Sequence, residues 1–271
     1  MSNKKGIDWV QFLKKYGIIF ILVIMVVAIS IARPNFLSSS NLFNVLTQSS
    51  IFGILSLGVT LVIIAKGIDL SLGSMLALAG VIAASFAQTS GAVGKFFPEM
   101  AQMNPVIPIF IALAVASLCG AINGGLIAFT GIPAFIATRG MFTVARGLAL
   151  IYSGGRPISN LSSGFTVFGG MVFGFLPMPV VVYAIMAAIT WILLSSTRFG
   201  KSIYAIGGNI KAAEVSGIPV KRNLVLIYAY CGLMAGVAAV VFAGRVQSVH
   251  PGAAVGYELT AIAASTIGGT S

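Results

Sequence analysis

Of 271 residues, 58% are hydrophobic and 8% are charged, with a mean hydropathy of +1.04, whereas a soluble globular chain carries about 25% charged residues. Sixteen Lys and Arg and five Asp and Glu cannot cover such a body in water, so the apolar surplus faces lipid and no sizeable soluble domain fits. The formal net charge of +11 is spread over short polar segments between apolar runs, where it serves orientation and anionic headgroups rather than nucleic acid.

The preamble MSNKKGIDWVQFLKKYG and the apolar run IIFILVIMVVAISIA follow the order of a signal peptide, but the preamble is long and the run can span. It is read as an uncleaved anchor, with a first span at about Tyr16–Ala32 that ends at ARPNFLSSSN. A second span covers about Gln48–Ala65. After KGIDLSLGS a third covers about Leu72–Phe86, and QTSGAVGKFFPEMAQMNP then reads as a loop, with room for a short interfacial helix and with Phe96 and Phe97 at headgroup level. A fourth span, about Val106–Phe129, carries Gly120 and Gly124 as a GxxxG face. TGIP breaks the chain before a fifth apolar stretch, Ala134–Ile151, whose Arg139 and Arg146 lie seven residues apart and so on one helix face, turned to protein, water or the interface.

From Tyr152 to about Pro179 the chain is rich in Gly, Ser and Pro, and its apolar middle is too short to span; a loop with a re-entrant or interfacial piece is expected. A span at about Val180–Leu194 precedes the polar stretch STRFGKSIYAIGGNIKAAEVSGIPVKRN. There Asn209 is placed to cap a short helix through about Ser216, which Gly217 and Pro219 end. The next span, about Leu224–Ala243, holds a second GxxxG at Gly232 and Gly236. His250, before Pro251, reads as a turn residue, and a last apolar stretch starts near Leu259 with Glu258 in its first turn. The fold expected is an all-α polytopic membrane protein of about 7 to 8 transmembrane helices, with broken or re-entrant segments.

With the N-terminus in the cytoplasm, six crossings return the chain to the cytoplasm after Leu194. Ten basic residues then lie inside (Lys4, Lys5, Lys14, Lys15, Lys66, Arg198, Lys201, Lys211, Lys221 and Arg222) against four outside (Arg33, Lys95, Arg156 and Arg245), as the positive-inside rule requires.

Enzyme chemistry finds little support. TSGAVGKF lacks the leading glycine of a phosphate-binding loop and has Phe96 where Ser or Thr would reach magnesium. HExxH, GxSxG and CxxC are absent, and the acids at Asp8, Asp69, Glu99, Glu214 and Glu258 are scattered. Cys119 and Cys231 read as buried thiols, and with a single histidine there is no metal-ligand set. No catalytic residue, metal or cofactor is assigned. Scarce intramembrane acids also count against proton- or sodium-driven transport.

Three segments carry a family resemblance: KGIDLSLGS at 66–74, RFGKSIYAIGGNIKAAEVSGIPV at 198–220 and GYELTAIAASTIGGTS at 256–271. Together with RPNFLSSSNLFNVLTQSS, IPAFIATRGMFTVARGLALIYSGGRPI and CGLMAG, they resemble the inner-membrane permeases of bacterial ATP-binding-cassette (ABC) sugar importers, closest to the ribose type, with galactose and xylose relatives. The resemblance implies about ten spans per subunit, a second permease copy, cytoplasmic ABC ATPase subunits and a periplasmic or extracellular sugar-binding protein. It implies a multi-pass protein of the bacterial cytoplasmic membrane, in contact with lipids and nucleic-acid-free, and not an enzyme. It makes residues 1–271 one permease domain and places the coupling loop at 198–222, with Asn209, Lys211, Ala212, Ala213, Glu214, Ser216 and Gly217 at the ATPase. Family members run on through further helices, so the chain is expected to be incomplete at its C-terminus.

Asp69, Ser71, Gly73, Arg139, Arg146 and Glu258 are the structural or gating candidates. Two readings of Asp69 and Ser71 stand side by side: a cap on the third helix, or a helix break inside the bundle with Asp69 paired to Arg139 or Lys66. Asn123, Thr143, Tyr152 and Tyr228 are candidates for a polar solute path. Ribose is named from the resemblance and not from residues. The competing readings are a membrane scaffold or coupling protein that moves no solute, a self-powered secondary carrier, and a truncated, inactive permease.

Overall fold

The computed structural model describes residues 9–270. Lys4, Lys5, Asp8 and Ser271, named above, lie outside the described residues, as do the side chains of Lys14 and Lys15. The chain divides into two units between Leu46 and Thr47.

The first unit holds helix α1 (Trp9–Ala32), a 3-10 turn (Pro34–Leu37) and the opening of α2 (Ser39–Ile64). Within α1 the apolar side chains from Ile18 to Val27 are all exposed, as a surface made for lipid would be. Pro34 cannot continue α1, and its fixed φ starts the tight turn instead. Ser38 Oγ accepts from Asn41 N at 3.4 Å and Asn41 Nδ2 donates to Phe36 O at 2.7 Å. The polar cluster therefore belongs to the first turn of α2, which begins well before the expected Gln48.

The second unit continues α2 and adds α3 (Leu72–Ala87), α4 (Val106–Gly125, prolonged by a π turn over Leu126–Thr130) and α5 (Ala134–Ser153). One-turn α6 (Ser163–Thr166) is followed by α7 (Met178–Ser196), α8 (Arg198–Gly208), α9 (Ile210–Val215), α10 (Val220–Val246) and α11 (Tyr257–Ile267). Among the described residues, α2, α4 with its π turn, α5, α7 and α10 are long and apolar enough to cross a membrane, and 17–32 and α3 are shorter apolar helices. The expectation of an all-helical polytopic membrane protein therefore holds.

Two small β pairings lie outside that expectation. In the 152–179 stretch, β1 (Ile158–Ser159) pairs antiparallel with β4 (Ser248–Val249), and β2 (Met171–Val172) forms a hairpin with β3 (Leu176–Pro177). Within the loop expected to carry a re-entrant or interfacial piece, the chain forms these strands, α6 and a 3-10 turn at Val167–Gly169. The 88–105 loop forms no helix, and its aromatic pair packs on protein: Phe96 stacks on Tyr152 at 4.9 Å and Phe97 on Phe86 at 5.1 Å. Gln88 draws the loop inward, accepting from Phe96 N at 2.7 Å and donating to Ser159 O at 2.9 Å.

The core forms where α10 lies along α4 and α3. Both GxxxG motifs face each other across it: a Cβ on Gly120 would stand 2.1 Å from Tyr228 O, and one on Gly232 would stand 2.2 Å from Ala116 O. Backbones this close gain van der Waals contact, which is the main attraction between helices in lipid. Nearly every residue of α3 is buried, and its 16 residues rise about 24 Å, less than the roughly 30 Å hydrocarbon core. A short helix buried all round must begin or end inside the bundle.

Candidate functional site

The segment 65–74 joins α2 to α3, with Lys66 and Ile68 exposed and Asp69 and 71–74 buried. Lys66, at φ 59°, terminates α2: its N–H donates to Ile63 O and that of Gly67 to Val62 O, both at 2.8 Å. Asp69 and Ser71 are fully buried. Asp69 Oδ1 accepts from Ser71 N at 2.8 Å and from Ser71 Oγ at 2.5 Å, an Asx turn that ends the extended stretch and leads into α3. Asn123 Nδ2 on α4 donates to the same Ser71 Oγ at 2.9 Å, and Tyr228 OH on α10 donates to Ile68 O at 3.4 Å. The break is thus fastened to two other helices, α4 and α10.

Of the two readings of Asp69, the helix break inside the bundle matches this geometry, but the proposed ion pair does not form. Lys66 Nζ reaches Gly208 O at 3.3 Å, and the Arg139 guanidinium lies over the Phe142 ring at 4.6 Å. Asp69 is held by hydrogen-bond donors from its own turn. Asp69 Oδ2 and Asn123 Oδ1 have no hydrogen-bond partner among the described residues.

A second buried polar group gathers at the first turn of α3. A Cβ on Gly73 would fall 2.1 Å from Ala254 O and 2.6 Å from Glu258 Oε2, so only glycine admits the start of α11 here. Arg146 Nη1 on α5 donates to Pro251 O at 2.6 Å and to Ala253 O at 2.7 Å, clamping the segment that leads into α11. His250 Nδ1 accepts from Gly252 N at 2.9 Å, the turn role its position before Pro251 suggests. Gly73, Arg146 and Glu258 are therefore brought together, whereas Arg139 is exposed and stands apart.

The solute-path candidates divide. Asn123 and Tyr228 lie inside the helix packing, Tyr152 is half-buried with its hydroxyl 2.7 Å from Ser85 Oγ, and Thr143 alone is exposed, its hydroxyl turned back to Arg139 O at 3.4 Å.

The 198–222 segment holds two helices, α8 and α9, before α10 begins at Val220, and α9 coincides with the short helix expected after Asn209. Thr197 Oγ1 accepts from Gly200 N at 3.0 Å and starts α8; Asn209 Oδ1 accepts from Ala212 N at 3.1 Å and starts α9. Gly217, at φ 80°, closes α9 with its N–H on Glu214 O and that of Ile218 on Ala213 O, both at 3.0 Å. The capping residues read from sequence are therefore the ones that shape this turn. Ala213, Ile206 and Val220 form a small apolar core, flanked by Ala65 and Leu224. A Cβ on Gly207 would stand 1.8 Å from Ile64 O, so α8 lies directly on the end of α2. Displacement of α9 would be passed through this core to Ala65 and Lys66, immediately before the buried break.

The outer side of α9 is open. Lys211, Ala212, Glu214, Ser216 and Gly217 are exposed, and so are two apolar residues that sequence reasoning passed over, Ile210 and Val215, the latter 91% exposed. Their signal was weak, since an isolated Ile or Val in a polar stretch reads equally well as buried.

The fold and site define a polytopic helical membrane protein with a buried helix break, tied by a small core to an exposed, capped polar helix. The comparisons place it further: residues 41–271 match the family described as the permease component of the branched-chain amino acid transport system, and the chain belongs to that permease family. It is 41% identical over 276 residues to the galactose/methyl galactoside import permease protein of Escherichia coli (strain K12), covering 99% of this chain and 82% of that protein. It is 39% identical over 257 residues to the ribose import permease protein of the same strain, covering 92% and 75%. The ribose import permease protein of Bacillus subtilis (strain 168) is 39% identical over 272 residues, covering 100% and 81%. No solved structure gives a significant match.

Proposed function

We propose that this chain is the membrane-spanning subunit of an ATP-driven monosaccharide importer of the bacterial inner membrane. The observation that carries the reading is the near-complete alignment, at about 40% identity, with import permeases named for ribose and for galactose. A cytoplasmic ABC ATPase and an extracytoplasmic sugar-binding protein are its partners, with a second permease copy completing the pathway. The N-terminus and residues 198–222 face the cytoplasm, as the distribution of basic residues favours.

In this reading α9 is the coupling helix. Asn209, Ser216 and Gly217 hold its shape, Ala213 anchors it, and Lys211, Ala212 and Glu214 face the ATPase, with Ile210 and Val215 as apolar contacts. Asp69, Ser71 and Gly73 form the element that bends, and Arg146 with Glu258 keeps the α11 approach in register; Arg139 and Thr143 face outward from α5. Because a sugar needs only weak, exchangeable hydrogen bonds along its path, selectivity resides in the binding protein.

The test is reconstitution of the chain with its cognate ATPase and binding protein in liposomes. Hydrolysis of ATP should rise severalfold when the binding protein carries ribose or galactose, with uptake of that sugar. Failure to copurify with an ATPase, together with sugar-independent hydrolysis, would overturn the reading.

A further inference from the structure

At the start of α10 the surface holds an open groove of about 700 Å³, walled by Phe129, Pro219, Val225 and Leu226, with Lys221 and Arg222 on its rim. Lys221 Nζ stands 5.8 Å from the centre of the Phe129 ring. Both basic residues are exposed, as are Phe129 at 67% and Leu226 at 42%. We propose that this groove is a binding site for one anionic phospholipid, with its phosphate between Lys221 and Arg222 and an acyl chain along Val225, Leu226 and Phe129.

Helix α10 has 27 residues and rises about 40 Å, more than the roughly 30 Å hydrocarbon core, so its ends reach beyond it; with 198–222 in the cytoplasm, as the proposed function has it, the first turn of α10 lies at headgroup level and the next turn enters the hydrocarbon. Lys221 and Arg222 occupy the first turn, and Val225 and Leu226 are one turn deeper. That order of charge and apolar surface is the order within a phospholipid. Basic pockets between membrane helices at this level hold lipid headgroups, and each basic residue near the surface favours an anionic lipid by about fivefold. Glu214 also lines the groove and leaves its rim with a net charge of +1, which complements the single negative charge of a phosphodiester. A cytoplasmic protein would use the basic rim and leave the deeper apolar wall, Val225, Leu226 and Phe129, uncovered.

The site is tested on the full chain in detergent, without ATPase, by native mass spectrometry against phosphatidylglycerol and phosphatidylcholine with the same acyl chains, and against glycerol phosphate. With Glu214 offsetting one of the two basic residues, the wild type should retain phosphatidylglycerol over phosphatidylcholine by about fivefold, and K221Q/R222Q should abolish or reverse that preference. The charge-conserving K221R/R222K should keep the preference, and K201Q on α8 should leave it unchanged, which separates a lost site from a misfolded chain. Glycerol phosphate should bind far more weakly than the whole lipid, and F129A/L226A should narrow that gap. Absence of any headgroup preference in the wild type, or an undiminished one in K221Q/R222Q, would overturn the proposal. So would a K221Q/R222Q protein that keeps its lipid but no longer copurifies with the ATPase, because the rim would then belong to that protein.

Discussion

Helices α4 and α10 and the α8–α9 segment hold themselves together by opposite means. Along α4 and α10, glycines at 120, 124, 232 and 236 let two backbones touch, and a side chain at any of them would overlap backbone atoms of the other helix. In α8 and α9 the local shape comes from caps, Thr197, Asn209 and Gly217; α8 joins the main core through Ile203, whereas α9 buries only Ala213, in a small core with Ile206 and Val220. In the proposed reading the first region stays fixed and α9 is pushed. A part that transmits motion must be internally stiff yet weakly rooted, and local hydrogen bonds with a small apolar contact provide that.

Substitutions should separate the two, beginning with the largest effect. Gly120→Val drives a branched side chain into Tyr228 O and should cost about 3 kcal/mol or more, seen as loss of folded protein in size-exclusion chromatography after extraction. Asn123→Leu removes the donor to Ser71 Oγ at the buried break and should cost about 1 to 2 kcal/mol, measured as a lowered melting temperature in detergent. Gly217→Ala places a Cβ at φ 80° and should cost about 1 kcal/mol, confined to α9. Hydrogen exchange should then quicken over 210–217 with the melting temperature unchanged; a global drop would mean that α9 is part of the main core. Val215→Ser, at a 91% exposed position, should alter stability by less than about 0.5 kcal/mol while copurification with the ATPase falls severalfold. If stability and copurification moved together in all four variants, the contrast between a fixed seam and a moving segment would fail.

Much of this was legible in advance because the signals are local. Runs of apolar residues place spans within a few residues, GxxxG marks close contact, and Asn209 with Gly217 marks both ends of α9. The start of α2 was misread because SSSN is both a loop composition and a first helical turn, and only the bonds of Ser38 and Asn41 decide between them. The pairing of Ile158 with Val249 carried no signal, since two-residue strands far apart in the chain leave no periodicity. The cation offered to Asp69 in one of its two readings is absent for a related reason: charge suggests a cation, but burial selects whichever donors the surrounding backbone and helices supply.

By itself the sequence determined that the chain lives in a membrane, how many apolar runs it has, which family it resembles and where its polar segment is capped. Each of these depends on hydrophobicity or on residues within one turn of each other. Only the tertiary structure decided that α3 begins inside the bundle, that Ser71 and Asn123 rather than a cation hold the Asp69 turn, and that the α9 core rests on the end of α2. Those contacts join residues from different helices, and in lipid they are chosen by packing and hydrogen-bond satisfaction, which no single segment encodes.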